Sequence, residues 1–168
     1  MVFYILAWFL CLLFLLSKGD VINQGLIRFF AIDVPTVIIA YFLINYGTTW
    51  AVVFAIGQGF LIDIFSSGLI GLFSMLYLIT FLSIKIGSSF FDLDSLRGRI
   101  SLIAIAVFLK EIFLIAFLKT FTMEIYISLT DLLSFVTSAL FSGLIAPILF
   151  FVFNQISRML TRREKDFI

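Results

Sequence analysis

Histidine is absent from this chain, and cysteine occurs once, at Cys11. Cys/His zinc sites, disulfide frameworks within the chain and imidazole-based catalysis are therefore excluded. Charge is scarce as well: 12% of the 168 residues are Asp, Glu, Lys or Arg, with 11 basic against 10 acidic. So small an imbalance creates no global field to recruit nucleic acid. No internal repeat and no low-complexity tract is visible. The one GxG-like string, Gly57-Gln58-Gly59, lacks the rest of any nucleotide fingerprint, and no activated nucleophile or phosphate loop stands elsewhere. An enzyme is not expected, and no cofactor is implied.

What the chain has is oil. Hydrophobic residues make up 63% of it, 23 residues are Phe, and the mean hydropathy is +1.25. A soluble domain of this size leaves too much of its area exposed to water to hide that surface, so lipid must be the solvent. The expected fold is an all-α membrane protein, a polytopic bundle forming a single integral membrane domain over residues 1–168. With about 20 apolar residues needed per crossing, six spans fit: Met1 to Ser17, Ile32 to Tyr46, Trp50 to Phe65, Leu69 to Ile86, Ile100 to Leu118 and Leu132 to Ile156. The first 17 residues have no basic leader and no small-residue cleavage site before Lys18 and Asp20, so they read as a retained span. Val21 to Phe30 reads either as a short interfacial helix or as a loop. The second span is short and opens with Asp33-Val34-Pro35, a helix start in which the Asp33 carboxylate is expected to cap the first turn. If that segment does not cross, five spans remain.

Orientation follows from Lys and Arg. Six spans put Lys85, Arg97, Arg99, Arg158, Arg162, Arg163 and Lys165 on one side and Lys18, Arg28 and Lys119 on the other. The basic side is expected to be cytoplasmic, with both termini there. Gly87 to Arg99 is the expected water-facing loop on that side.

Three constellations stand out. In GQGFLIDIFSSGLIG, residues 57 to 71, the stripe Ala55, Gly59, Asp63, Ser67, Gly71 recurs every fourth residue, which places all five on roughly one face of a helix. A carboxylate at the centre of a membrane helix costs about 2.5 to 3.5 kcal/mol on insertion scales, so Asp63 marks a working surface. Two readings stand: a packing face whose acid caps the helix starting near Leu69, or a group that binds a partner or ligand. Lys110 and Glu111 lie side by side within the fifth span and point about 100° apart. Lys110 can snorkel; Glu111, with less reach, is expected to face the interior with Asp63, each offset by a Lys or a polar side chain. In the last span, Ser134, Ser138, Ser142 and Ala146 form a second small face, and Pro147 frees the Gly143 carbonyl, predicting a kink.

Taken in order, Asp33-Val34-Pro35 before an apolar span, GFLIDIFSSGLIG at 59 to 71 and SGLIAP at 142 to 147 resemble the rod shape-determining protein MreD family over essentially the whole chain. One departure is Ser67, where the family often has Gly, with Gly68 following here. By this resemblance Asp33, Pro35, Gly59, Asp63, Gly71, Glu111, Gly143 and Pro147 occupy family motif positions. The resemblance implies a fold similar to the substrate-binding subunits of energy-coupling-factor vitamin transporters. It also implies a non-enzymatic scaffold of the bacterial inner membrane. Its implied partners are the single-pass protein MreC and, through it, MreB and the peptidoglycan glycosyltransferase and transpeptidase of cell elongation. The competing expectation is a substrate-binding subunit of a small-molecule transporter, with Asp63 or Glu111 lining a cavity.

Overall fold

The computed structural model describes residues 2–21, 32–65, 70–93, 95–121 and 129–165, and every regular element among them is a helix. They are α1 (Val2–Val21), α2 (Val34–Asn45), α3 (Thr48–Phe65), α4 (Leu72–Gly87), α5 (Leu96–Phe121) and α6 (Leu129–Lys165). In an apolar solvent the backbone can satisfy its polar groups only within itself, and a helix does so without a neighbouring strand. The sequence supplies long apolar runs with Pro confined to positions 35 and 147, so nothing stops these helices early.

Among the described residues, three stretches are long and apolar enough to cross a membrane: Thr48–Phe65, Leu96–Phe121 and Leu129–Met159. The expected first, second and fourth spans are not among them, and the second falls furthest short. At 12 residues, α2 is about 18 Å long, well short of a hydrocarbon core of about 30 Å. Counting apolar residues overstated it because Ile32 and Asp33 precede the helix. At its other end, the Tyr46 and Gly47 N–H groups fold back on the Phe42 carbonyl at 2.8 and 3.0 Å. The fourth helix also starts later than expected, at Leu72 after a turn through Ile70 and Gly71. The loop expected to reach Arg99 ends sooner, since Arg97 and Arg99 already lie in the first turn of α5. Ser67 and most of the expected interfacial segment from Val21 to Phe30 lie outside the described residues.

The short helix is the centre of the bundle. Every residue from Val34 to Phe42 is buried, because α2 is contacted by each of the other five helices. It runs parallel to α6: the Asp33 N–H donates to Ser142 Oγ at 3.0 Å, the Tyr41 hydroxyl to Asn154 Oδ1 at 3.0 Å, and Tyr46 and Ser157 share a 2.9 Å hydroxyl pair. On its other flank, the rings of Tyr4, Phe42, Trp50 and Phe54 cluster at centroid distances of 5.0 to 6.2 Å, tying α1 to α2 and α3. Edge-to-face pairs of this kind add to plain burial.

The small face expected on the last helix is buried along its length, at Ser134, Ser138, Ser142 and Ala146. Beside it, a Cβ on Gly143 would stand 2.9 Å from the Ile100 carbonyl oxygen, so α5 and α6 meet nearly backbone to backbone. The helix continues through Pro147 to Lys165. The opposite side of α6, with Leu140, Leu144, Ile148 and Phe151 each more than half exposed, faces out.

Candidate functional site

Two carboxylates lie inside this bundle, each next to the start of a short helix. Asp63 is 3% exposed, held by α3 where Gly59, one turn earlier, lets α4 come close. A Cβ on Gly59 would sit 2.3 Å from the Ser74 Cα. Across that gap the Asp63 carboxylate accepts the Phe73 N–H at 2.8 Å, the Ser74 N–H at 3.1 Å and the Ser74 hydroxyl at 2.7 Å. Phe73 and Ser74 are the second and third residues of α4, whose first N–H groups have no partner within the helix. The N-cap position itself is Gly71, at φ +98°, which has no side chain to offer. The acid of one helix therefore caps the next, and its negative charge lies at the positive end of the α4 dipole. Gly71, at an exposed turn, leaves the helical face on which the four-residue spacing put it, and of the stripe's described residues Ala55, Gly59 and Asp63 share the buried face.

Asp33 is the second centre, 5% exposed at the N-cap of α2. Its carboxylate does not cap the backbone, contrary to expectation. It accepts instead from the Thr36 hydroxyl at 2.6 Å and the Tyr77 hydroxyl at 3.3 Å, and it is ion-paired with Lys110. A buried acid gains more from a full opposite charge than from an N–H dipole, so the ammonium decides its orientation. The Asp33 N–H goes to Ser142, and Pro35 sits in the first turn where no N–H is needed. Together these contacts join α2, α4, α5 and α6 at one point.

Lys110 does not snorkel. Its side chain is 12% exposed, and its amine lies 3.4 Å from Glu111 Oε1 and 5.5 Å from the centre of the Tyr77 ring. Glu111, 14% exposed at its side chain, thus shares the cation with Asp33. Adjacent helical residues do not share a face, but the length of both stems closes the gap. Asp63 and Asp33 form two separate centres. Gly143 lies at the α5–α6 contact, and Pro147 lies one turn further along α6.

Sequence reasoning missed Tyr77 and the assignment of Lys110 to Asp33. A signal was available: Lys110 is the one cation set deep within an apolar span, so a buried acid in need of a cation had one choice. It also missed Gln58, 2% exposed, whose Nε2 has no hydrogen-bond partner among the described residues. Among those residues no group of three or more Cys, Asp or Glu side chains could hold a metal ion. What the two centres do chemically is fasten helices, since each acid oxygen already has a donor.

Comparison with known protein families, with curated proteins and with solved structures returns no match to this chain.

Proposed function

We propose that this chain is a non-enzymatic scaffold of the bacterial inner membrane that holds the transmembrane helix of a single-pass partner of the MreC type. Through that partner it would support peptidoglycan synthesis during cell elongation, with MreB and the glycosyltransferase and transpeptidase pair as further members of the assembly. The observation that carries the reading is that Asp33 and Asp63 are both spent on joining helices. A carrier that releases its cargo needs acids that exchange partners; a scaffold needs them fixed. The resemblance of Asp33-Val34-Pro35, GFLIDIFSSGLIG and SGLIAP to the MreD family supplies the biological setting. The outward apolar faces of α5 and α6, at Ile105, Phe108, Ile112, Leu133, Leu140 and Leu144, offer surface to lipid and to a partner helix alike. In this reading the chain crosses the membrane six times with both termini cytoplasmic, α2 crossing despite its length because the other five helices, not lipid, surround it, in a fold similar to the substrate-binding subunits of energy-coupling-factor transporters.

Gln58 favours a second reading. A buried amide nitrogen with no partner among the described residues is a group that a bound ligand would satisfy, which would suit a substrate-binding subunit for a vitamin-sized molecule. Purification in mild detergent separates the two. Recovery with a single-pass partner, and rounding of cells on depletion, is the result expected of the scaffold. A retained small molecule with normal cell shape would overturn it.

A further inference from the structure

The C-terminal part of α6 carries a feature that neither carboxylate centre uses. A cavity of about 420 Å³ is lined there by Phe151, Asn154, Gln155, Arg158 and Met159. It is open on one side and many times larger than the space one water needs, ample for a phosphate with its glycerol. The five positions are spaced i, i+3, i+4, i+7 and i+8, so they form one stripe of the helix, beside the buried Phe150 and Phe153. Phe151 and Met159, 70% and 60% exposed, stand at the two ends of the stripe with the polar groups between them.

We propose that this stripe binds the headgroup of an anionic phospholipid, the phosphate on Arg158 with Asn154 and Gln155, and the upper acyl chain along Phe151. Three observations point to that occupant. Donors predominate: the Asn154 oxygen is already taken by the Tyr41 hydroxyl at 3.0 Å, which leaves its NH2 to the cavity, a guanidinium offers only N–H groups, and the Gln155 amide adds N–H donors beside its one acceptor oxygen. Arg158 has no acidic partner among the described residues, so its charge is available, and a planar fork suits a phosphate. Arg162, Arg163 and Lys165 follow on the same helix and outnumber its Glu164, and a net basic cluster at the end of a membrane helix is the usual setting for anionic lipid. An acidic peptide would satisfy the donors but would leave Phe151 bare; a lipid satisfies both halves.

The test uses the full chain in a neutral detergent, with retained lipid counted by native mass spectrometry after addition of phosphatidylglycerol or phosphatidylcholine. Preferential retention of one phosphatidylglycerol is expected. Arg158→Gln should reduce the preference about fivefold, and Met159→Glu, which places a carboxylate in the cavity, should reduce it at least as much. Arg97→Gln, on the first turn of α5 outside the stripe, should leave it unchanged. Because Arg158 and Met159 are exposed, these variants are expected to keep the wild-type melting profile, which is read in parallel. Equal retention of the two lipids overturns the proposal, as does a preference that survives Arg158→Gln. Displacement of the lipid by millimolar inorganic phosphate would show a simple anion site, and binding of an acidic peptide without a lipid preference would show a protein-docking site; either also overturns it.

Discussion

Replacing Lys110 by Met removes the cation that holds two acids in the interior while preserving the length and apolar character of the stem. The Asp33 carboxylate, 5% exposed, would keep the Thr36 and Tyr77 hydroxyls at 2.6 and 3.3 Å and lose the full charge that Lys110 supplies. Glu111, 3.4 Å from the amine in the intact protein, would lose its partner at the same stroke. Breaking a buried pair by removing one member costs about 3 to 5 kcal/mol, because the remaining charge is neither solvated nor paired. The second acid places Lys110→Met at the upper end of that range. Asp33→Asn alone costs less, since Lys110 keeps Glu111 and the amide oxygen still accepts from Thr36. The double variant should recover part of the loss, with a coupling of about 2 kcal/mol between neighbours that share a network. Unfolding in mixed micelles, followed by far-ultraviolet circular dichroism over a denaturing-detergent series, measures all four corners of this cycle. Strict additivity, or a Lys110→Met protein within about 0.5 kcal/mol of wild type, would refute the buried pair.

Asp63→Ala leaves the N–H groups of Phe73 and Ser74 without their acceptor and should destabilise by about 3 kcal/mol, at roughly 1 to 3 kcal/mol per orphaned donor. Asp63→Asn, which retains one acceptor oxygen, should cost less than half of that in the same unfolding assay; equal losses would mean the oxygens do not cap α4. Gly59→Ala pushes a methyl to 2.3 Å from the Ser74 Cα, whereas Gly143→Ala meets the Ile100 oxygen at 2.9 Å. Overpacking costs about 1 to 3 kcal/mol, so Gly59→Ala should be the more damaging of the two, and a reversed order of melting temperatures would contradict the tight α3–α4 contact. A cysteine at Ser89 in a Cys11→Ala background should be protected from an impermeant thiol reagent in intact cells and labelled after lysis, since the turn it occupies is expected on the cytoplasmic side. Labelling in intact cells would invert the orientation.

The hydropathic runs alone account for five of the six helix positions to within a few residues, because the need to bury backbone polar groups in lipid leaves a long apolar segment no other structure. Asp63 as the cap of the following helix was one of two readings open from the residues. A carboxylate ahead of a glycine turn and a new apolar run is a cap in reach of a helix start, and Gly59 on the same face is the gap through which it reaches. The small face on the last helix was legible for the same reason, since Ser134, Ser138, Ser142 and Ala146 repeat at the helical period.

The pairing of Asp33 with Lys110, 77 residues away, was not legible, nor was the central place of α2. Spacing along a chain describes which residues share a face of one helix; it carries nothing about which face of another helix lies opposite. Asp33 sits beside a proline at a helix start, so local reasoning assigned it to the nearest N–H groups. The bundle offered it a full charge instead, and in a medium with no water to share the load, the stronger partner won. Composition thus determined the solvent, the helices and the scarcity of chemistry. Tertiary structure alone decided which of those few charges neutralise one another, and therefore which points of the bundle are fastened.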